Sequence, residues 1–453
     1  MGYYFIILSL ALLSTFLYIG YQSSKKITNN EGYFLAGRSL GIFTASISLV
    51  ATQLGAGVIL GTSYASYQYG IYGILYPLGI SLGMVAIAIF GAKQLREKNI
   101  FTISELFEKE YQSRFLRKLS SMISIVSLYG ILISLIIATK KILFAFGIHN
   151  QFILYIFWIV LILYTVLGGF KAVVYTDIVQ IIFIFFTFII IAIYYTFNKY
   201  EYIQFSLDNL FCTIHNKNHY SCVHYMIVPF LYVFIEQDMA QIFFSTKNSK
   251  IAYTSAFIAG LLLLLFSFLP LIFGIAARSI QGIPIGSSEM IFFFISTSNS
   301  FIISIAVLAV LCAIISTGDS LLCAITSNLA LDFQQDGLPS NLLKVRFIAI
   351  LLGLVGIIIA KYFDDIVEVM LLSYEIMICT LFFPILSSYF KFKKSTAFAY
   401  IAVFLGVIGF VIHSIFSTGI FLNISKELFC ISLSFFSFPL SYIYNNFNKT
   451  RVI

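Results

Sequence analysis

The segment Ala313-Ile-Ile-Ser316-Thr317-Gly-Asp319-Ser320 sets three hydroxyls and a carboxylate inside an otherwise apolar stretch. On a helix Ala313, Ser316, Thr317 and Ser320 share one face, and Asp319 flanks it. Oxygen ligands of this kind suit a small hard cation; with no imidazole or thiolate in the set, a transition metal is disfavoured. The competing reading is packing, because Ser and Thr hydroxyls bond the carbonyl one turn back and cement helix against helix. A partner for such a site needs free carbonyls. The run Ala51-Thr-Gln-Leu-Gly55-Ala-Gly57 offers them, since two glycines inside an apolar span predict a broken helix. The spacing Gly55-x-Gly57-x-x-x-Gly61 is no dinucleotide fingerprint, for no strand precedes it.

Other acids also stand in apolar surroundings. An ionised Asp at the centre of a membrane helix costs roughly 2.5–3.5 kcal/mol, so each one implies a reason. The candidates are Asp177, Glu236, Asp238, Asp319, Asp332 and Glu375. Asp177 belongs to Gly168-Gly169-Phe-Lys171-Ala-Val-Val-Tyr-Thr176-Asp177-Ile-Val-Gln180, where a helix is expected to end at the glycine pair and another to start at Thr176. Thr or Asp at a helix start caps free amides. Glu236-Gln237-Asp238 interrupts a second apolar span, and Glu236 either anchors an amine or pairs with a neighbouring helix. Glu375 has no assigned role. Cys212-x-x-His215-x-x-x-His219-x-x-Cys222-x-His224 concentrates two of six cysteines and three of five histidines. A disulfide, free thiols or a metal site all fit that spacing. Cys312, Cys323, Cys379 and Cys430 read as packing residues.

The elements that carry these residues follow from composition. Of 453 residues 60% are hydrophobic and 10% charged, and the mean hydropathy is +0.98. A soluble chain carries about 25% charge, so the surrounding solvent is lipid. Soluble enzymes, secreted disulfide scaffolds and disordered chains are excluded; long unbroken apolar runs also argue against a β-barrel. An all-α polytopic membrane protein is expected. At about 20 residues per span, thirteen spans fit: roughly 3–21, 42–66, 71–92, 119–146, 151–169, 176–197, 225–244, 252–276, 302–331, 346–362, 366–390, 396–418 and 427–445. The first reads as a retained helix rather than a signal peptide. A short apolar run from Glu289 is expected to lie over one face. Alternate loops hold 20 and 7 of the 27 Lys and Arg residues. The positive-inside rule then places the N-terminus outside and the C-terminus in the cytoplasm. The net charge of +8 is therefore orientation, not a nucleic-acid footprint. Two five-span blocks, 42–197 and 225–390, are expected to run oppositely through the membrane as inverted repeats, flanked by an extra helix at 3–21 and two at 396–445. The whole chain reads as one membrane domain.

The motif Gly168-Gly169-x-Lys171-Ala-Val-x-x-Thr176-Asp177-x-x-Gln180 resembles the signature of the solute:sodium symporter family. So do Gly37-Arg38-Ser39-Leu40-Gly41 leading into Ala51-Thr52-Gln53, the Glu236-Gln237-Asp238-Met-Ala-Gln241 stretch, and Ser316-Thr317-x-Asp319-Ser320. The likeness runs in order over about residues 5–390. It implies the five-plus-five inverted repeat of the leucine transporter and secondary active import of a small organic solute coupled to sodium, with no organic cofactor. Carried over by position, one sodium would take carbonyls of Ala51, Leu54 and Ala313 and hydroxyls of Ser316 and Thr317. A second would use Asp177, Ser316, Asp319 and Ser320. Solute contacts would come from Gln53, Gln68, Tyr232, Phe234 and Glu236. The chain departs from proline-transporting members, which carry Asp where Gln53 stands, Trp and Tyr where Phe230 and Phe234 stand, and Pro where Asp238 stands. The Arg usual after Gln241 is Ile242, which leaves that helix end without an account.

The abundance of Ile, Phe, Lys, Asn and Tyr points to an AT-rich bacterial genome, so a bacterial inner (plasma) membrane protein is expected, with solute and lipid as partners, no nucleic acid, and a monomer sufficient. Amino acids, pantothenate and monocarboxylates are the solute classes considered. Proton coupling through Asp319 or Asp177 is the alternative within transport. An intramembrane enzyme lacks a nucleophile–base set or metal pair, and a transport-like sensor lacks a signalling domain.

Overall fold

The computed structural model describes residues 2–213, 219–282, 289–334, 341–363, 366–390, 395–415 and 425–442. Among them the chain is helical throughout, and the only bridge of β type is a single parallel pair, Leu40 with Thr246. Long apolar segments must satisfy every backbone amide internally, and helices do that without a partner. The main helices are α1 (Gly2–Ser24), α2 (Ile42–Gln53), α3 (Thr62–Tyr69), α4 (Leu75–Ile87), α5 (Arg114–Ala145), α6 (Gln151–Asn198) and α7 (His219–Tyr232). They continue as α8 (Gln237–Ser245), α9 (Ser249–Ala276), α10 (Ser300–Asp332), α11 (Leu342–Ile359), α12 (Ile366–Ser388), α13 (Thr396–Ile415) and α14 (Lys426–Phe435). A short helix, Glu289–Thr297, follows the expected apolar run and buries Met290, Ile291, Phe293 and Phe294.

Nine described helices are long and apolar enough to cross a membrane, or up to ten if the bent α7–α8 pair counts as one. Thirteen were expected, and the difference has a physical origin. The expected spans 151–169 and 176–197 follow one another in α6, whose 48 residues would reach about 72 Å if straight, more than twice a hydrocarbon core, so the stretch is two helices counted as one. The chain instead turns at Gly169 (φ 53°, ψ −156°) inside that helix. Conversely, α2 has only 12 residues before its break, and α14 has 10. The expected span 427–445 runs beyond the described residues.

The helices sort into two bodies. In the first, α9 packs on α2, α3 and α4, and α7 packs on α4. In the second, α10 packs on α5, α6 and α11. Helix α10 is buried almost all round, as expected for a helix apolar on every face. Phe186, Leu265 and Phe404 point outward, more than 60% exposed, where lipid is their solvent. Helix α1 runs along α6 and buries Phe5, Leu13 and Phe16, while α13 and α14 pack on α12.

Two sets of arginines tie the first body at its ends. At one end Leu40 N–H donates to the Ser245 carbonyl, and Lys247 N–H donates to the Leu40 carbonyl, both at 3.1 Å. There Arg38 donates to the Phe244 carbonyl at 3.0 Å, and Arg96 to the Thr246 carbonyl at 2.6 Å. The last carbonyls of α8 thus find guanidinium donors from elsewhere in the chain, which accounts for a helix end that has Ile242 in place of an arginine. Ala36, Gly37 and Arg38 all have positive φ, which turns the chain sharply before α2. At the opposite end Arg278 donates to the carbonyls of Tyr67 (2.6 Å), Ser66 (2.8 Å) and Cys212 (2.8 Å), joining α9 to the end of α3.

The turn inside α6 makes a sharp prediction. A Cβ on Gly169 would sit 2.9 Å from the Tyr33 ring, on a backbone conformation that is essentially glycine-only. Gly147 also has positive φ (86°), but nothing lies within 4 Å of a Cβ there. Gly169→Ala should therefore cost more than about 3 kcal/mol, and Gly147→Ala only about 1 kcal/mol. Thermal unfolding of the two purified variants gives the order; equal losses would refute a packed turn at Gly169.

Candidate functional site

Helix α2 stops at Gln53 because Leu54 leaves helical geometry (φ −79°, ψ 43°) and Gly55 follows. A wide turn of π type at Gly57–Gly61 restarts the chain into α3. Ending a helix inside the bundle leaves its last carbonyls without amide partners. Helix α10 meets them. Ser316 Oγ lies 3.1 Å from the Ala51 carbonyl and 3.0 Å from the Ala313 carbonyl; Thr317 Oγ1 lies 3.0 Å from the Thr52 carbonyl and 3.2 Å from that of Ala313. This approach needs glycine, since a Cβ on Gly55 would come within 2.6 Å of Thr317 Oγ1. The hydrogen bonds bring together Ala51, Ala313, Ser316 and Thr317 of the five residues expected for the first cation, and add Thr52. Leu54 is buried at the helix end, with its own N–H returned to the Val50 carbonyl.

One turn further along the same seam, Ser48 Oγ donates to Asp177 Oδ2 at 2.5 Å, and Thr52 Oγ1 lies 3.2 Å from Ser320 Oγ. Tyr164 and Thr176 both donate to Asp319 Oδ2. Asp177 and Asp319 are fully buried, and among the described residues each has one oxygen without a hydrogen-bond partner and neither is ion-paired. The expectation that Thr176-Asp177 begins a helix does not hold. Helical bonding resumes at the Gly169 turn, so Asp177 sits about two turns in, where a cap has no free amide to serve. Thr176 spends its hydroxyl on the Ala172 and Val173 carbonyls as well as on Asp319. The four residues expected for a second cation thus lie on facing helices, with Ser48, Thr52, Tyr164 and Thr176 added.

The other break falls between α7 and α8, whose axes differ by 44°. Glu236 is the residue before α8, and its Oε2 accepts from Gln53 Nε2 at 2.6 Å, which brings two expected solute contacts together. Tyr232 packs on Tyr374 with centroids 4.3 Å apart and rings tilted by 44°, and Phe234 packs edge-on against Phe382 at 6.2 Å. Gln68 stands apart, at the Arg278 end of α3. The unwound carbonyl of Phe234 is met by Tyr389 at 2.6 Å. Gln237 bonds the backbone of Phe101 and Ile103, and Gln241 donates to the Phe34 carbonyl, so both glutamines fasten α8 to neighbouring loops. Asp332 pairs with Arg117 at 2.8 Å, and Glu375 with Lys426 at 2.6 Å, which gives both acids structural partners.

Sequence reasoning missed Ser48, Thr52, Tyr164, Tyr76 and Tyr374. Ser48 and Thr52, one turn apart on a helix that leads into a break, carried a readable signal. Nothing distinguishes Tyr164, Tyr76 or Tyr374 among 29 tyrosines. Cys212 is an exposed free thiol, whereas the side chains of Cys222, His215 and His219 lie outside the described residues. Among the described residues no three His, Cys, Asp or Glu side chains are grouped to hold a metal.

Comparison with known proteins places this geometry. The family model described as the sodium:solute symporter family matches residues 33–390. The osmoregulated proline transporter OpuE of Bacillus subtilis (strain 168) is 32% identical over 184 residues, a stretch covering 39% of this chain and only 37% of that relative. A Na+-coupled sialic acid symporter, solved substrate-bound and outward-open, superposes with a TM-score of 0.81 at 16% identity, over 97% of this chain and 98% of its own. The nucleobase-cation-symport-1 family transporter Mhp1 gives 0.63 at 12% identity, over 91% and 95%. MhsT in complex with L-phenylalanine gives 0.57 at 13% identity, over 87% and 97%. At such identities these structures speak for the fold alone, the all-α inverted-repeat architecture of the leucine-transporter type. With the family model matched across most of its length, the chain belongs to the sodium:solute symporter family.

Proposed function

We propose that the protein is a sodium-coupled secondary active symporter that imports a small organic solute by alternating access. One observation carries the reading: the hydroxyls of Ser316 and Thr317 on α10 meet the carbonyls released where α2 breaks. Those oxygens come from two different bodies. A cation that displaces these hydrogen bonds, with the hydroxyls turning their hydrogens away, draws lone pairs from both sides and fastens α2 to α10. Sodium site one is assigned to Ala51, Leu54, Ala313, Ser316 and Thr317. The Asp177, Ser316, Asp319 and Ser320 set supplies a second site, where carboxylates without cationic partners favour a positive charge. Sodium binding stabilises the arrangement in which the bodies are closed on each other and the solute site is formed; its loss to the other compartment loosens α2 from α10 and releases the solute. An inside-negative potential contributes about 2.3 kcal/mol per charge per 100 mV to inward sodium movement.

The remaining parts of the reading follow. Repeat one is taken as 42–197 and repeat two as 225–390, with 3–21 and 396–445 as additions in a single transport domain. The basic loops face the cytoplasm, so the N-terminus lies outside and the C-terminus inside a bacterial inner membrane. All proposed ligands belong to one chain, so a monomer suffices. The solute falls in the amino acid, pantothenate or monocarboxylate classes. Proton coupling is the second reading, and the buried pair Asp177 and Asp319 favours it.

Three outcomes are expected. Ser316→Ala or Thr317→Ala should raise the sodium concentration that half-saturates thermal stabilisation of the purified protein by about 10-fold or more, since a bond to a charged group contributes ~1.5–3 kcal/mol. Sodium titrations that superpose on the parent's would remove the first site. Asp319→Asn should weaken the sodium response at constant pH without giving a protein whose stability tracks pH instead; sodium-independent stabilisation on acidification of the parent would favour the proton reading. A reporter enzyme active only outside the cytoplasm, fused after Ile453, should be silent, and activity there would reverse the orientation.

A further inference from the structure

We propose that Glu236, Gln53 and the tyrosines Tyr76, Tyr232 and Tyr374 recognise an ammonium-bearing solute, with the Glu236 carboxylate as its counter-charge. The inference rests on the symport reading and names the solute class of its site. Glu236 is 7% exposed, in the unwound step between α7 and α8. It occupies the position before α8 (φ −72°, ψ 123°), yet its side chain does not cap that helix. The carboxylate instead turns to Gln53 Nε2. Among the described residues it makes no ion pair with a lysine, arginine or histidine. Asp238, two residues on, is also buried, and neither of its carboxylate oxygens has a hydrogen-bond partner among the described residues. Two buried acids served by one amide donor are kept where a positive group completes them.

The surroundings select which positive group. Tyr232 lies one turn before Glu236 and packs at a tilt on Tyr374; the Tyr374 hydroxyl is 3.3 Å from that of Tyr76. Tyr76 lies over the backbone of the first break, where a Cβ on Gly57 would stand 2.8 Å from its hydroxyl. The Tyr232 hydroxyl is buried without a hydrogen-bond partner. A sodium ion wants a shell of oxygens, whereas aromatic faces with one carboxylate suit an organic ammonium through charge pairing and cation–π contact. Gln53, donating through Nε2, keeps its carbonyl oxygen to accept from an N–H. An anionic solute with no ammonium, such as a monocarboxylate or pantothenate, would instead set its carboxylate against Glu236, and like charges in a dry site are rejected.

The test uses the purified full-length protein in detergent, with melting temperature read against solute concentration in NaCl or in KCl of equal strength. L-proline, glycine betaine and choline are the ammonium probes; pantothenate and lactate are the anions without one. At least one ammonium probe should raise the melting temperature in NaCl, and neither anion should. Glu236→Gln should raise that probe's half-saturating concentration at least 10-fold. Glu236→Asp, which keeps the charge, should lose less, and a monodisperse elution profile certifies each variant's fold. Stabilisation by an anion, failure of all three ammonium probes, or undiminished binding to Glu236→Gln would overturn the inference. An ammonium probe that stabilises the parent equally in KCl, and loses affinity in Glu236→Gln, would uphold the solute class while breaking the sodium coupling.

Discussion

The bilayer interior offers no water to an unpaired polar group, and the whole arrangement follows from where this chain places the few it has. The set that joins α2 to α6 and α10 lies along one seam. Ser48 with Asp177, Ala51 with Ser316, Thr52 with Ser320 and Thr317 all cross from α2 to α6 or α10. Away from that seam the two bodies are built from apolar packing of the ordinary kind, which lipid neither strengthens nor weakens much. The seam is different because its oxygens can be satisfied in more than one way: by each other, by water when it opens, or by a cation. A contact with interchangeable partners is what a moving interface requires.

For such an interface to act as a unit, each body must hold its own shape. The first body contains both broken helices, its weakest points, and the arginines sit at the ends of the half-helices away from the breaks. Arg38 and Arg96 take the final carbonyls of α8, and Arg278 takes those of α3. Each guanidinium is fixed-charge and forked, so it serves two or three carbonyls at once, which a lysine would not. The result is a body that is interrupted in the middle yet clamped at both ends. Motion is then confined to the seam rather than spent on fraying of half-helices.

This logic also explains what could be read from the sequence. The hydroxyl face of Ser316 and Thr317, the glycines at 55 and 57 and the isolated acids were visible because lipid makes polar residues rare and therefore informative. The thirteen spans were harder, since hydropathy marks apolar length and not where helical geometry stops: α6 leaves it at Gly169 alone and resumes at once, and α2 ends after 12 residues inside an apolar run. Thr176 and Asp177 looked like caps because a glycine pair usually ends a helix. Here the chain resumes helix at once, which left Asp177 as a buried acid facing Ser48. Tyr164 and Tyr76 could not be found at all, since in a chain with 17% aromatic residues a tyrosine that bonds an acid looks like one that faces lipid.

The two breaks divide the labour between neutral oxygens and a fixed charge. The break after α2 meets the seam with carbonyls, which hold a cation without trapping it, because neutral dipoles attract it less than a carboxylate does. The break before α8 carries Glu236, whose hydrogen bond runs to Gln53 in the same body. Gln53 follows Thr52 directly, so one peptide unit separates a side chain at the charged site from a carbonyl at the seam. Anything that fixes the last turn of α2 in one site fixes it in the other, and the cost of ordering that turn is met once rather than twice. By linkage the effect of the proposed sites would be reciprocal: an ion that fastened Ala51 and Thr52 to α10 would tighten the grip of Gln53 and Glu236 on a solute by the same factor that the solute would tighten the ion. Coupling between the two proposed sites would need no long pathway, only a helix end short enough to belong to both.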